Sequence, residues 1–133
     1  MGALTVKAVK ENADAVLDFV EAELKRSTFP EEFHSDILVV TEEIFVNIAN
    51  YAYEPGQPGD ASIFMHISDR VFITFEDFGK PFNPHKNEDP DLDVPLMERE
   101  IGGLGVYFTK KIMDKVSYER ADDKNILTIM KKK

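Results

Sequence analysis

Residues 61–79, ASIFMHISDRVFITFEDFG, contain two apolar runs separated by a short polar stretch. Runs that are rich in β-branched and aromatic residues and are bounded by turn-forming residues are typical of β-strands. We therefore predict strands at 61–68 and 70–76, joined by a tight turn at 68–70. The fold class then depends on which elements precede and follow this hairpin.

The segment before the hairpin predicts one strand and two helices. Residues 3–9 alternate apolar and polar side chains, as an edge strand does. Residues 12–26 carry apolar side chains at spacings of three and four, the pattern of an amphipathic helix. A second helix is predicted from Pro30, which suits a first helical turn, to about Tyr53, where the turn residues EPGQPGD follow. Its apolar stripe consists of Ile37, Val40, Ile44 and Ile48.

The segment after the hairpin predicts a long loop, a helix and two more strands. The loop, about 80–101, is rich in proline and acidic residues, and such long connections are often lids or binding loops. A helix then runs to about Asp114, followed by strands near 115–121 and 124–131. This order favours a single domain, 1–133, with an α+β two-layer sandwich fold. Its sheet is expected to be mixed but mainly antiparallel, with about three helices on one face.

The composition favours a folded domain and disfavours several functions. The chain has 133 residues, of which 43% are hydrophobic and 31% charged, as in ordinary globular proteins. The formal net charge of −9 argues against nucleic acid or an anionic membrane as a partner. The absence of cysteine excludes thiol catalysis and cysteine zinc sites. No apolar run approaches the roughly 20 residues of a membrane span, so we expect a cytoplasmic protein.

A possible catalytic pair lies in the second predicted helix, in the stretch TEEIFVNIANYAY at 41–53. Glu43 and Asn47 are four residues apart and therefore share one helical face, beside the apolar stripe. A glutamate at the edge of a core can activate a hydroxyl or a water, and an amide oxygen can complete the shell of a phosphate-bound Mg²⁺. The alternative interpretation is a solvated glutamate with an asparagine in a hydrogen bond at the helix edge.

A second motif, FEDFGKPFNP at 75–84, follows the predicted strand at 70–76. Asp77 provides a carboxylate at the strand end, and a carboxylate accepts the hydrogen bonds that the amino group of adenine donates. Gly79 would let the backbone pass close to a flat ligand. The alternative interpretation is an ordinary turn capped by the aspartate.

A third motif, GGLG at 102–105, leads directly into the predicted helix that ends near Asp114. Glycines before a helix N-terminus expose several amide donors and the positive end of the helix dipole, which together favour an anion such as phosphate. The spacing is not that of a P-loop or of a dinucleotide-binding fingerprint. A flexible loop is the alternative.

These three motifs, in this order, resemble the GHKL ATPase superfamily, which includes the ATP domains of gyrase, heat-shock chaperones, mismatch-repair proteins and histidine kinases. Within it the chain is most similar to the small anti-sigma-factor serine kinases, over nearly its whole length. The resemblance implies the Bergerat, or histidine kinase-like, ATP-binding fold. It also implies Mg-ATP bound between the second helix and a loop called the ATP lid.

Site residues follow from this resemblance. It implies that Glu43 is the general base and that Asn47 is the Mg²⁺ ligand, while Asp77 and Gly79 contact the adenine and Gly103 and Gly105 the phosphates. The implied nucleotide-binding set is Asn47, Asp77, Gly79, Phe82, Gly102, Gly103, Leu104, Gly105, Val106 and, as a loose candidate, Thr128. Arg99, near the end of the predicted lid, is a candidate contact to a phosphate or a partner.

The resemblance implies an ATP-dependent protein serine/threonine kinase that acts by partner switching. Its substrate would be a small STAS-type anti-sigma-factor antagonist, which competes with a sigma factor or another regulator for the kinase. A homodimer is expected on the same basis. Tyr51 stands where such proteins usually carry a histidine. This departure leaves a second hypothesis, a nucleotide-binding module that captures a partner without phosphotransfer. The catalytic part of a histidine kinase is a weaker third.

Overall fold

The computed structural model describes residues 2–81 and 109–133. These residues form one five-stranded antiparallel sheet and the helices that pack on it. The strands are β1 Gly2–Lys7, β2 Asp60–Ile67, β3 Arg70–Asp77, β4 Lys115–Ala121 and β5 Lys124–Lys132. The helices are α1 Ala13–Arg26 and α2 His34–Tyr51, with short 3-10 turns at Lys10–Asn12 and Glu31–Phe33, and residues 109–112 are also helical.

The sheet has the strand order β1-β2-β3-β5-β4, and each neighbouring pair is antiparallel. The predicted central hairpin is confirmed: β2 pairs with β3, and Ile63 lies opposite Phe75. The expectation of a mainly antiparallel sheet is also confirmed, and the described strands contain no parallel pair. Because β5 lies between β3 and β4, the end of β3 adjoins the beginning of β5, and Asp77 lies opposite Asn125.

One face of the sheet forms the core together with α1 and α2. Alternate residues of β2 and β3, including Ile63, Ile73 and Phe75, are almost completely buried. The helices contribute Val16, Val20, Leu24, Ile37, Val40, Ile44 and Phe45 to the same core. Each such large side chain stabilises the fold by about 1.5–3 kcal/mol through the removal of apolar surface from water.

The opposite face of the sheet carries side chains of mixed polarity. Phe64 on β2 is exposed, and the hydroxyls of Thr74 and Thr128 hydrogen-bond to each other on β3 and β5. Within the described residues the helices therefore cover one face, as a two-layer sandwich requires. The predicted fold class is confirmed.

The second helix begins later than the sequence indicates. Pro30 has extended backbone angles, and Phe33 N donates to Pro30 O in a tight turn before α2 begins at His34. The helix ends at Tyr51 rather than Tyr53. Proline suits a first turn of either type, so the sequence signal did not distinguish a 3-10 turn from an α-helix. A bilayer crossing needs about 20 apolar residues, and no helix within the described ranges meets that requirement.

Candidate functional site

A cleft lies between the second half of α2 and the ends of β3, β4 and β5. It contains about 820 Å³ of empty space, including its open mouth. Concave, mostly apolar clefts with a few polar groups are typical sites for small molecules and cofactors. The apolar lining consists of Ile44, Ile48, Ala52, Phe75, Pro81, Val116 and Leu127, with the rings of Tyr51 and Tyr118. The polar lining consists of Asn47, Asp77, Lys80, Thr109, Lys110 and Asn125.

Asp77 is the buried acidic group of this cleft. It is only 5% exposed, because the alternation along β3 turns Asp77 toward the helices in the same way as Ile73 and Phe75. Its Oδ1 accepts hydrogen bonds from Gly79 N and Asn125 Nδ2, both at 2.9 Å. Within the described residues, the other carboxylate oxygen has no hydrogen-bond partner. The cleft therefore contains a rigidly held acceptor between apolar walls.

The environment of Asp77 acts on its charge in two directions. Burial raises the pKa of the Asp77 carboxyl, and this is the largest effect. The hydrogen bonds from Asn125 and Gly79 and the positive charge of Arg120 oppose that rise in pKa because they stabilise the ionised form. Arg120 also donates from Nη1 to Gly79 O at 2.7 Å, which holds the segment after β3 against β4.

Gly79 lies where the chain passes against the end of α2. A Cβ at this position would lie 2.3 Å from the backbone oxygen of Ala52, a distance that real Cβ atoms do not reach. The next amide, Lys80 N, donates to the same oxygen at 2.9 Å. The structure thus gives Gly79 a packing role, and Gly79 is not among the described residues that line the cleft. Its contact with a ligand stays a prediction.

Tyr53 joins the beginning of β2 to the segment after β3. Its hydroxyl donates to Asp60 O at 2.6 Å and accepts from Phe78 N at 2.8 Å. Burial raises the pKa of Tyr53 above its ordinary value, which already keeps a tyrosine hydroxyl protonated at neutral pH. This bridge links the beginning of β2 to the residue after Asp77.

The sequence analysis did not identify Asn125, although it is one of the most constrained polar residues of the cleft. Asn125 is 6% exposed, and its Nδ2 donates both to Asp77 and to Lys80 O, the latter at 2.8 Å. Tyr118 on β4 donates its hydroxyl hydrogen to Asn125 Oδ1. One signal was available: Asn125 shares the alternating, inward-facing positions of the last strand with the apolar Leu127 and Ile129.

Thr128 does not lie in the cleft. Because side chains alternate across a strand, Asn125, Leu127 and Ile129 face the helices, while Thr128 faces the other side of the sheet. There its hydroxyl is 3.0 Å from that of Thr74. This position corrects the loose assignment of Thr128 as a nucleotide contact, and Asn125 is the residue of β5 that lies beside Asp77.

The predicted pair on α2 divides between the cleft and the surface. Asn47 lines the cleft and is partly buried, and Tyr51 lines it one turn further along. Glu43, one turn before Asn47, is exposed and is not among the lining residues. No described residue forms a hydrogen bond or an ion pair with Glu43.

The remaining predicted contacts lie outside the described residues. These are Phe82, Gly102, Gly103, Leu104, Gly105 and Val106, together with Arg99. The described ranges contain no cluster of three or more histidine, aspartate or glutamate side chains that could hold a metal ion. Two lysines, Lys80 and Lys110, line the cleft and add positive charge to it.

The amino-acid sequence was compared with known protein families and with curated proteins. Residues 6–131 match the sequence family described as the histidine kinase-like ATPase domain. The serine/threonine-protein kinase BtrW of Bordetella bronchiseptica is 24% identical over 127 residues, covering 95% of this chain and 89% of that protein. The serine-protein kinase RsbW of Halalkalibacterium halodurans is 27% identical over 134 residues, covering 97% of this chain and 80% of that protein.

Proposed function

Because the chain belongs to the histidine kinase-like ATPase domain family, we propose that it binds ATP with Mg²⁺ in the cleft beside α2. The observation that carries the proposal is the buried Asp77, whose carboxylate is held by two hydrogen bonds between apolar walls. A planar base with an exocyclic amino group matches these walls and this acceptor. Adenine has both properties.

Three other polar residues that line the cleft suit the charged part of the nucleotide. Asn47 offers an amide oxygen, which is a suitable ligand for a Mg²⁺ ion that is also held by phosphates. Such an ion takes most of its ligands from phosphate and water, so it needs no cluster of protein carboxylates. Lys80 and Lys110 would neutralise phosphate charge, and ATP would supply the phosphoryl group.

We further propose that the chain is a protein serine/threonine kinase with Glu43 as its general base. The names of the two relatives support the activity. The exposure of Glu43, one helical turn from Asn47, supports the role, because a hydroxyl on another protein can reach an exposed carboxylate. The proposed substrate is a serine or threonine of a small anti-sigma-factor antagonist. The proposed setting is a cytoplasmic homodimer that also sequesters a sigma factor or another regulator.

Titration calorimetry with ATP and ADP, each with and without Mg²⁺, tests the nucleotide proposal. We expect saturable binding and an increase in melting temperature, because a ligand that binds only the folded state stabilises it. The absence of both heat and thermal stabilisation at millimolar nucleotide would remove the proposal. A phosphotransfer assay with the cognate antagonist then tests the kinase activity.

A second candidate function is a nucleotide-dependent binding module without phosphotransfer. The observation that favours it is Tyr51, which lines the cleft where similar proteins usually carry a histidine. A Glu43→Gln variant distinguishes the two functions. A kinase loses turnover and keeps its ATP affinity, whereas a binding module keeps its effect in the cell.

A further inference from the structure

The hydrogen bonds around Asn125 determine which way its side-chain amide points. One end of the amide faces two acceptors, Asp77 Oδ1 at 2.9 Å and Lys80 O at 2.8 Å. The other end faces the hydroxyl of Tyr118. A reversed amide would place its oxygen against a carboxylate and a carbonyl, which is repulsive. The NH₂ group therefore faces Asp77, and Tyr118 supports this orientation as a donor.

This orientation has a direct effect on Asp77. Oδ1 of the carboxylate receives two donors, Gly79 N and Asn125 Nδ2. The plane of the carboxylate is thus set from one side, and its other oxygen is left for a group that enters the cleft. Asp77 on β3 pairs directly with Asn125 on β5, so the backbone of the sheet keeps these two side chains adjacent.

We propose that Asn125, oriented by Tyr118, is a positioning residue that makes Asp77 selective for a nucleobase bearing an amino group. This inference rests on the proposed nucleotide-binding function. An amino group donates to the available carboxylate oxygen, whereas a keto oxygen at the same place would meet it acceptor to acceptor. Asn125 makes the selection strict because it holds the carboxylate in one rotamer and favours its ionised, acceptor-only form.

Tyr118 and Asn125 thus form a chain of hydrogen bonds from β4 to Asp77 at the proposed nucleobase site. Tyr118 is partly buried and also lines the cleft. A Tyr118→Phe substitution removes only its hydroxyl and keeps the ring. The hydrogen bonds from Asn125 and Gly79 and the charge of Arg120 lower the pKa of Asp77 against the effect of burial. Loss of the Asn125 contact should therefore weaken the acceptor in geometry and in charge.

The experiment compares ATP with inosine triphosphate, which carries a keto group in place of the amino group. Dissociation constants for both nucleotides are measured by calorimetry in the same Mg²⁺ buffer, for the wild type and for Tyr118→Phe and Asn125→Asp. The ratio of the two constants removes effects on phosphate binding and on the fraction of folded protein. We expect the preference for ATP to fall about three- to tenfold in Tyr118→Phe, the range for one lost hydrogen bond. In Asn125→Asp it should fall further, because two adjacent carboxylates cannot both stay ionised.

Thr74→Val is the matched control. It also removes one hydroxyl and one hydrogen bond from the sheet, on the face away from the cleft, and it should leave the nucleotide ratio unchanged. If the wild type prefers ATP and both cleft variants keep that preference, the inference is wrong and the proposed function stands. The inference is also overturned if the wild type binds the two nucleotides with equal affinity. It is overturned as well if Thr74→Val changes the ratio of the two dissociation constants as much as the cleft variants do. Failure of the wild type to bind either nucleotide overturns the proposed function itself.

Discussion

Asp77 and Glu43 are both carboxylates assigned to the same proposed reaction, yet their surroundings differ. Asp77 is buried at the end of β3 and receives two hydrogen bonds from Gly79 and Asn125. Glu43 is exposed on α2 and has no hydrogen-bond or ion-pair partner among the described residues. The proposed nucleobase site in the cleft is thus preorganised by the chain, whereas the proposed catalytic carboxylate is open to a second molecule.

This difference separates recognition from chemistry. A preorganised acceptor discriminates between ligands because it cannot adjust to the wrong one without leaving a buried polar group unpaired. An exposed carboxylate discriminates little, but a serine or threonine of another protein can approach it. The comparison predicts that changes at Glu43 alter turnover, and that changes around Asp77 alter affinity and stability.

The largest effect is expected from Glu43→Gln, the sharpest test of the comparison. General-base catalysis contributes about 10²–10⁴-fold to rate, so phosphotransfer should fall by that factor. The dissociation constant for ATP should stay the same, because Glu43 is outside the described lining of the cleft. Single-turnover kinetics and calorimetry measure the two quantities. If Glu43→Gln loses ATP affinity in proportion to its loss of rate, Glu43 also contributes to nucleotide binding, and the contrast with Asp77 is wrong.

Asp77→Asn should have the next largest effect, on affinity. If the new amide accepts the donors Gly79 N and Asn125 Nδ2 through its oxygen, its NH₂ group faces the cleft and meets the adenine amino group donor to donor. Hydrogen bonds to charged groups contribute about 1.5–3 kcal/mol, so ATP affinity should fall by about ten- to hundredfold. Calorimetry measures the loss, and inosine triphosphate serves as the control ligand, which should lose much less. Equal losses for both ligands would show that Asp77 does not contact the base.

Gly79→Ala should destabilise the fold rather than change specificity. Its Cβ would meet Ala52 O at 2.3 Å, so the segment after β3 must move away from α2. Overpacking of this kind costs about 1–3 kcal/mol, which urea denaturation can measure. The double variant Ala52→Gly/Gly79→Ala should remain destabilised, because the nearest clash is with backbone. Full rescue by Ala52→Gly would contradict that explanation.

The smallest effect is expected from pH. Burial raises the pKa of Asp77, so the carboxyl takes up a proton at a higher pH than an exposed aspartate does. The affinity ratio of ATP to inosine triphosphate should fall as the pH is lowered through that raised pKa. The stability of the free protein should respond in the opposite sense, because a group with a raised folded-state pKa binds protons more tightly when folded. Relative to Asp77→Asn, the wild type should therefore become more stable as the pH falls, as thermal unfolding would reveal. A ratio that rises on acidification would contradict the assignment of Asp77 as the acceptor.

Local patterns in the sequence predicted most of the fold. The hairpin at 61–76, both early helices and the final two strands follow from periodicities of 2 and 3.6, which depend on a few neighbouring residues. Asn47 was placed correctly on the same basis, since a residue beside the apolar stripe of a helix lies at the edge of the core. The proposed roles of GGLG and Phe82 stay predictions, because these residues lie outside the described ranges.

The site required information that no local pattern contains. Thr128 was a loose candidate implied by the family resemblance, but the alternation of β5 turns it to the other face of the sheet. The ligand contact of Gly79 stays a prediction, and the structure adds a close approach to Ala52 at the end of α2. In both cases the contact seen in the structure is with a residue far away in sequence.

The sequence alone determined the elements of this protein, the face of each that is apolar, and the three motifs that place it among ATP-binding domains. Those features arise from side chains within a few residues of one another, so they can be recognised along the chain. Only the tertiary structure decided that Tyr118, Asn125 and Asp77 are linked by hydrogen bonds. Asp77 and Asn125 are 48 residues apart, and they meet because β5 is inserted between β3 and β4, a pairing that depends on the packing of the whole sheet.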